Sequence, residues 1–267
     1  MPGEHLSLAE PAHALWCAER DRTPVAPITD GIPTFSASDA YDVQRINISR
    51  RLDQGSVLRG RKVGLTSRAS QTALGVAEPT FGALLSDMFV DDDDQLVTSD
   101  LIQPRVEAEL AFVLSKDLSG PGVTTITAHR SVDCVVPVIE VGDSRIVDWR
   151  IRVMDTIADN ASSARVVLGS GFAPLTSSLE LNHLGVLFHR NGFPIDSGAG
   201  AAVLGNPFRA LAWLANKLAE YGEFISAGEI VLTGALHRMV PVRPGDEFFA
   251  EFARLGTVGV RFTGSTP

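Results

Sequence analysis

The chain has 267 residues, 45% hydrophobic and 21% charged, with 24 glycines and 15 prolines. That excludes disorder and fibres and fits one substantial domain with, at most, a smaller companion. Its 23 Lys and Arg against 32 Asp and Glu leave a formal charge of −9, with the basic residues scattered, which argues against nucleic acid as a partner.

The opening residues show no cationic stretch leading into an apolar run. The longest apolar segment, Cys134 to Val141, is too short to cross a bilayer, so a soluble, cytoplasmic protein is expected. Two cysteines, Cys17 and Cys134, offer neither a disulfide framework nor a thiolate zinc site. In chain order, Ser7 with Glu10 has the spacing of a capping box, and Leu8, Ala12, Leu15 and Trp16 then recur at helical intervals. The Pro-rich stretch from Thr23 to Pro33 reads as a connector. A second helix is expected from about Ser38 to Leu52, with Gly55 as its stop. Residues 61–66 resemble a short strand, after which Ser67 caps a brief helix ending at Gly75.

From about Phe81 the texture changes to strands and turns. Val106, Ala108, Leu110 and Phe112 alternate with Glu107 and Glu109, predicting a strand with one greasy face. Asp91 to Asp94 read as a solvated turn. The continuous apolar run from Val132 to Val141 predicts a strand covered on both faces. Asn191-Gly192 marks a hairpin. Asn206 and Pro207 open a helix with Phe208, Leu211, Ala215 and Leu218 on its buried stripe and Gly222 at its end, before strands resume at Ile230. The expected organisation is therefore α+β: a helical N-terminal region over residues 1–80 and a β-rich domain over residues 81–267.

Glu107 and Glu109 leave one face of their strand with bases about 6.6 Å apart. Two readings stay open: a pair of acids on a solvent-facing edge, or a two-toothed oxygen clamp. Glu140 interrupts an apolar run, where a lone ionised carboxylate costs several kcal/mol unless it is paired or bound to a metal. Either an arginine, Arg105 or Arg145, answers it, or Glu107, Glu109 and Glu140 meet on neighbouring strands around a hard divalent cation, Mg²⁺ or Mn²⁺. Lys62 is a solvated lysine or a partner for a substrate carboxylate and a proton relay. Thr233-Gly234-Ala235 is a plain strand end or an anion seat. His237 is the only histidine near these residues and reads as a bystander. Gly198-Ala199-Gly200 lacks the spacing of a nucleotide loop, and no Gly-x-Ser-x-Gly elbow is present.

Five segments occur together in one order: Gly60 to Ser67; Pro104 to Glu109; Val138-Ile139-Glu140 with Asp143-Ser144-Arg145; Asp159-Asn160-Ala161-Ser162; and Thr233 to Leu236. In that order they resemble the 2-keto-4-pentenoate (2-hydroxypenta-2,4-dienoate) hydratases of the fumarylacetoacetase-like superfamily. The resemblance implies a mixed β-roll carrying the site and a helical N-terminal region. It maps metal carboxylates onto Glu107, Glu109 and Glu140, the site lysine onto Lys62, and substrate-orienting hydroxyls onto Ser162 and Thr233. It implies a metal-dependent hydro-lyase acting on a small dienoate in the meta-cleavage catabolism of aromatic or steroid compounds. The resemblance implies a homo-oligomer as well, with a downstream aldolase or decarboxylase as a partner. The alternatives are a 4-oxalocrotonate decarboxylase of the same superfamily and a non-catalytic partner subunit. One departure stands out: Pro79-Thr80-Phe81-Gly82 replaces the Pro-Asp-Phe-Gly or Pro-Asp-Tyr-Gly of many hydratases, with Glu78 as the nearest acid.

Overall fold

The computed structural model describes residues 7–175 and 179–264. Its helices are α1 (Ala9–Asp21), α2 (Ile28–Gly31), α3 (Ala37–Asp53), α4 (Arg68–Leu74), α5 (Thr125–His129), α6 (Val153–Ala158) and α7 (Pro207–Ala219). Its strands are β1 (Leu58–Gly64), β2 (Thr80–Leu85), β3 (Phe89–Val90), β4 (Gln95–Val97), β5 (Arg105–Leu114), β6 (Val132–Gly142), β7 (Ser163–Leu168) and β8 (Ala173–Pro174). They continue with β9 (Gly185–Arg190), β10 (Phe193–Ala199), β11 (Ile230–Ala235), β12 (Val240–Pro241), β13 (Glu247–Phe252) and β14 (Gly256–Thr263).

Among the described residues the strands form two mixed sheets. The larger runs β2-β1-β11-β5-β6-β7-β3, with β12 beside β5 and β8 beside β6; the smaller runs β10-β9-β13-β14-β4. Strands β13 and β14 lie against β6 and β7, so the sheets close on one core in which Phe112, Phe188, Phe248 and Phe262 are almost fully buried. Helix α7 covers β11 and β1, and its Phe208 stacks on Phe112 with ring centroids 4.8 Å apart. No helix is long and apolar enough to cross a membrane among the described residues.

Local signals account for most element ends. Ser67 caps α4 and Gly75 ends it in the left-handed region, as its sequence requires. Asn206 accepts from the Phe208 N–H and Pro207 fills the first turn of α7. Helix α3 begins one residue before the expected start because Ser36 and Asp39 form a reciprocal capping box, their bonds 3.2 and 2.9 Å long.

Three expectations need correction. Ser7 does not cap α1: Leu8 occupies that position with helical dihedrals and no side-chain bond. The third residue of this helix is Pro11, which has no N–H for a cap to satisfy. The connector from Thr23 to Pro33 contains α2, and Thr29 there donates through its backbone N–H and its hydroxyl to Asp155 of α6. The face of β5 opposite Val106 and Ala108 is covered as well, leaving Glu107 and Glu109 buried. In addition, β1 precedes residue 80 yet is an interior strand, paired with β11 on one side and β2 on the other, so the sheet takes in chain from Leu58 onward.

Candidate metal centre and substrate cavity

Register on β5 and β6 builds the acidic cluster. Glu107 and Glu140 are direct cross-strand partners, and Glu109 follows two residues along the same face. One carboxylate oxygen of each lies within 4.8 Å of those of the other two, and all three residues are buried. Like charges placed directly opposite one another destabilise a sheet, so the arrangement is expensive without a cation. Burial, joined by repulsion from Glu140, pushes the Glu107 carboxyl up to about 7; burial and both neighbours hold Glu109 well above the ordinary range.

Lys62 reaches this cluster from β1. Its Nζ is 2.6 Å from Glu140 Oε1 and donates to the Ala161 carbonyl at 3.3 Å. Burial opposes its charge, but the combined attraction of Glu140, Glu107 and Glu109 wins and raises it above the usual lysine value. Arg61, its neighbour, leaves the other side of the strand to pair with Glu229 at 2.5 Å and Glu223 at 2.8 Å. Two strands, β11 and β5, separate β1 from β6, and register sets Lys62 level with Leu232 and Ala111, four residues from Glu107. A flat sheet would hold β1 and β6 about 14 Å apart, beyond the reach of a lysine and a glutamate. Only the curl of this sheet closes the gap.

Neither arginine considered as a partner for Glu140 meets it. Arg145 pairs with Asp159 at 2.5 Å, and Arg105 lies over the Trp149 ring at 4.4 Å from its centroid. Apart from the Lys62 contact, both Glu140 oxygens lack a hydrogen-bond partner. Glu109 accepts the Gly234 N–H at 2.8 Å. That bond depends on an irregularity in β11 between Leu232 and Ala235, where Gly234 has φ +113 and a Cβ would meet Thr66 Oγ1 at 2.0 Å.

Glu107 and Glu109, with Glu140 buried behind them, form one wall of a cavity of about 580 Å³ lined also by Lys62, Thr80, Ser162, Arg105, Trp149 and His237. That volume suits a small organic acid. Ser162 follows Asn160 and Ala161 in a run of three non-glycine residues with positive φ. Such strain persists only where surrounding bonds fix it. Asn160 clasps the Ala83 backbone through both amide atoms, and Ser162 Oγ donates to Asp159 Oδ2 at 3.2 Å. Gly82 makes room for the clasp, since a Cβ there would sit 2.6 Å from the Asn160 carbonyl oxygen.

The remaining expected residues divide. Thr233 is fully buried, its hydroxyl unpaired, and does not line the cavity. Thr80 does line it, and its hydroxyl is likewise unpaired. Glu78 does not take the place of the absent aspartate: it is exposed and paired with Lys217 at 3.3 Å. His237 Nε2 accepts the Ala108 N–H at 3.0 Å, so Nδ1 carries the proton toward the Arg238 carbonyl at 2.8 Å; with both nitrogens engaged and burial lowering its pKa, it serves as a neutral brace. Sequence reasoning missed the Arg105–Trp149 stack and the Asn160 clasp, which join residues 44 and 77 apart with no periodic signal.

Three buried carboxylates, no nitrogen or sulfur ligand among them, and a Glu140 whose oxygens meet no donor besides Lys62 fit a hard divalent cation. Comparison with known proteins agrees with this chemistry. The model for the fumarylacetoacetate (FAA) hydrolase C-terminal family matches residues 59–263. The 2-keto-4-pentenoate hydratase of Paraburkholderia xenovorans (strain LB400) is 44% identical over 254 residues, 95% of this chain and 94% of that one. The 2-oxo-hept-4-ene-1,7-dioate hydratase of Escherichia coli is 40% identical over 251 residues, 92% of this chain and 94% of that one. Among solved structures, the 4-oxalocrotonate decarboxylase of Pseudomonas putida G7, complexed with magnesium and adipate, superposes with TM-score 0.93 at 38% identity, covering 97% of this chain and 98% of that one. With its mixed sheets, buried acid cluster and near full-length likeness to these proteins, the chain belongs to the 2-keto-4-pentenoate hydratase family of the fumarylacetoacetase-like superfamily.

Proposed function

We propose that this protein adds water to 2-hydroxypenta-2,4-dienoate or a substituted homologue to give a 4-hydroxy-2-oxoalkanoate, in the meta-cleavage catabolism of aromatic or steroid compounds. The observation that carries the reading is the convergence of buried Glu107, Glu109 and Glu140, with Glu140 met by no donor besides Lys62, beside an acid-sized cavity that Glu107 and Glu109 line. These three carboxylates would hold Mg²⁺ or Mn²⁺. When bound, the cation supplies stabilisation of the negative charge that an α-oxo acid develops as its enol and oxo forms interconvert and as water adds.

The chain's own groups manage protons and orientation. In the overall change the 2-hydroxyl loses its proton while one is added at C5; water then adds at C4 and a proton at C3. The Lys62 ammonium, fixed between Glu140 and the Ala161 carbonyl, is placed to relay these protons or to face the substrate carboxylate. Ser162 offers oxygen lone pairs to the substrate while its own proton is directed to Asp159. In this reading Thr233, buried away from the cavity, makes no substrate contact, and the protein works as a cytoplasmic homo-oligomer.

A second reading, loss of CO₂ from a 4-oxalocrotonate-type dicarboxylate, is favoured by the decarboxylase superposition. The greater identity to hydratases sets it second. Incubating the protein with Mg²⁺ and freshly generated 2-hydroxypenta-2,4-dienoate and identifying products by NMR should give 4-hydroxy-2-oxopentanoate. EDTA should stop its formation and added Mg²⁺ restore it. Unchanged turnover in the chelator would refute the metal assignment.

A further inference from the structure

Arg105 is out of keeping with the other buried or half-buried arginines that carry a carboxylate partner. Arg61, Arg145, Arg51 and Arg190 each hold at least one acid. Arg105 lines the cavity, half-buried, and among the described residues its guanidinium has no ion pair or hydrogen bond; its recorded contact is the Trp149 face. A guanidinium held over an indole face and free of other partners can offer its N–H groups to a planar, two-pronged acceptor.

The platform is built rather than incidental. Trp149 Nε1 donates to the Gln103 carbonyl at 3.0 Å, which fixes the indole. Asp148 and Trp149 are both left-handed, with φ of 55°, a conformation that costs a non-glycine residue free energy. Opposite Arg105 on β6 stands Gly142, where a Cβ would come within 3.5 Å of Trp149 Cη2, and Pro241 flanks it on β12. Neither residue paired with Arg105, Gly142 or Pro241, is an acid. Arg105 also shares its strand face with Glu107, two residues and about 6.6 Å away.

We propose that Arg105, seated on Trp149, is a subsite that takes a carboxylate of the substrate through the edge of its guanidinium. The inference rests on the α-oxo-acid reading of the cavity and adds an anchor to it. Two carboxylates have the right chemistry: the one beside the oxo carbon, and a second at the far end of a dicarboxylic substrate. Arg238, the other arginine on this cavity, is 92% exposed and 3.7 Å from Asp196, so solvent and that acid both compete for it.

The test uses Mn²⁺-loaded protein and two unreactive probes, 2-oxopentanoate and 2-oxoadipate, read by tryptophan fluorescence and calorimetry, with Mn²⁺ affinity measured separately by EPR. In Arg105→Gln, Mn²⁺ affinity should hold or rise, since a positive charge has left the neighbourhood. Probe affinity should fall by roughly 10- to 100-fold, the loss expected when a charged hydrogen-bonded partner is removed. Equal weakening of both probes assigns the carboxylate beside the oxo group; weakening of 2-oxoadipate alone assigns the distal one. Affinity in Arg105→Gln within about twofold of the parent for both probes overturns the subsite. Parent protein that binds Mn²⁺ but neither probe overturns the α-oxo-acid reading and the subsite with it. If Arg105→Gln also loses Mn²⁺, Arg105→Lys decides: it keeps charge and stem but not the fork, so weakening of at least about threefold supports the assignment and unchanged affinity ends it.

Discussion

Two buried charged clusters lie on opposite ends of the loop from Asp159 to Ser162, and they are made in opposite ways. Around Arg145, charge and hydrogen bonding are closed. Its guanidinium donates to Asp159 Oδ1, the Asp143, Ser163 and Asp159 carbonyls, while Asp159 Oδ2 also accepts from Ser144, Ser162 and the Arg145 N–H. Around Glu140, three carboxylates face one ammonium, and beyond that ammonium the Glu140 oxygens meet no donor. A saturated buried pair holds a fold in place, whereas an unsaturated acidic one stores an affinity for a cation. The same short loop serves both, because its Ser162 hydroxyl bonds to Asp159 and its Ala161 carbonyl accepts from Lys62.

The sharpest way to break this contrast is to remove one carboxylate from the open cluster. Glu140→Gln should abolish metal binding in calorimetry and lower turnover by about 10⁴-fold, some 5 kcal/mol of barrier. The metal-free protein should keep its melting temperature or gain a little, because repulsion has been relieved. Removing the cation from the closed cluster should do the reverse. Arg145→Met leaves Asp159 buried and unpaired and should cost about 3–5 kcal/mol in chemical denaturation. Equal stability losses in the two variants would show that the two clusters do not differ in this way.

Burial raises a carboxyl in each cluster, Asp159 to about 6 in the closed one and Glu107 to about 7 in the open one, but only the open one would have a cation to offset it. Burial raises the folded-state pKa of Glu107 from 4.5 to about 7, so the metal-free fold is favoured while that group holds its proton and loses the contribution as pH climbs through 7. Metal-free protein should therefore melt roughly 5 °C lower at pH 8 than at pH 6, with saturating Mg²⁺ cancelling the difference. Affinity for Mg²⁺ should increase over the same interval, since protons compete for the carboxylate. A melting temperature that is flat with pH in the absence of metal would contradict the burial argument. The smallest effect belongs to the shared loop: Asn160→Ala loses the clasp on Ala83 and should cost about 1–2 kcal/mol, with kcat falling more than KM rises as the Ala161 carbonyl drifts from Lys62.

Periodicity and turn chemistry made much of the local structure legible. Helices α4 and α7 and the Asn191-Gly192 hairpin follow from caps, Pro and Gly at positions where they act within a few residues. Glu107 and Glu109 were recognisable as a pair because a strand has a period of two, and Glu140 because an acid in an apolar run needs a partner. Which partner it has was open, since Arg105, Arg145 and a cation all satisfied the same rule.

Chain order and residue type thus determined the fold class, the acid triad as candidates and the family, all of which depend on local pattern or on motif succession. Tertiary structure alone decided that Lys62, rather than an arginine, meets Glu140, because that contact requires a sheet curled enough to bring β1 over β6. It also decided that Arg105 sits over Trp149 without a carboxylate partner among the described residues, and that Glu78 turns away to Lys217. Such pairings arise from curvature and loop strain accumulated over many residues, and no short window of sequence carries that sum.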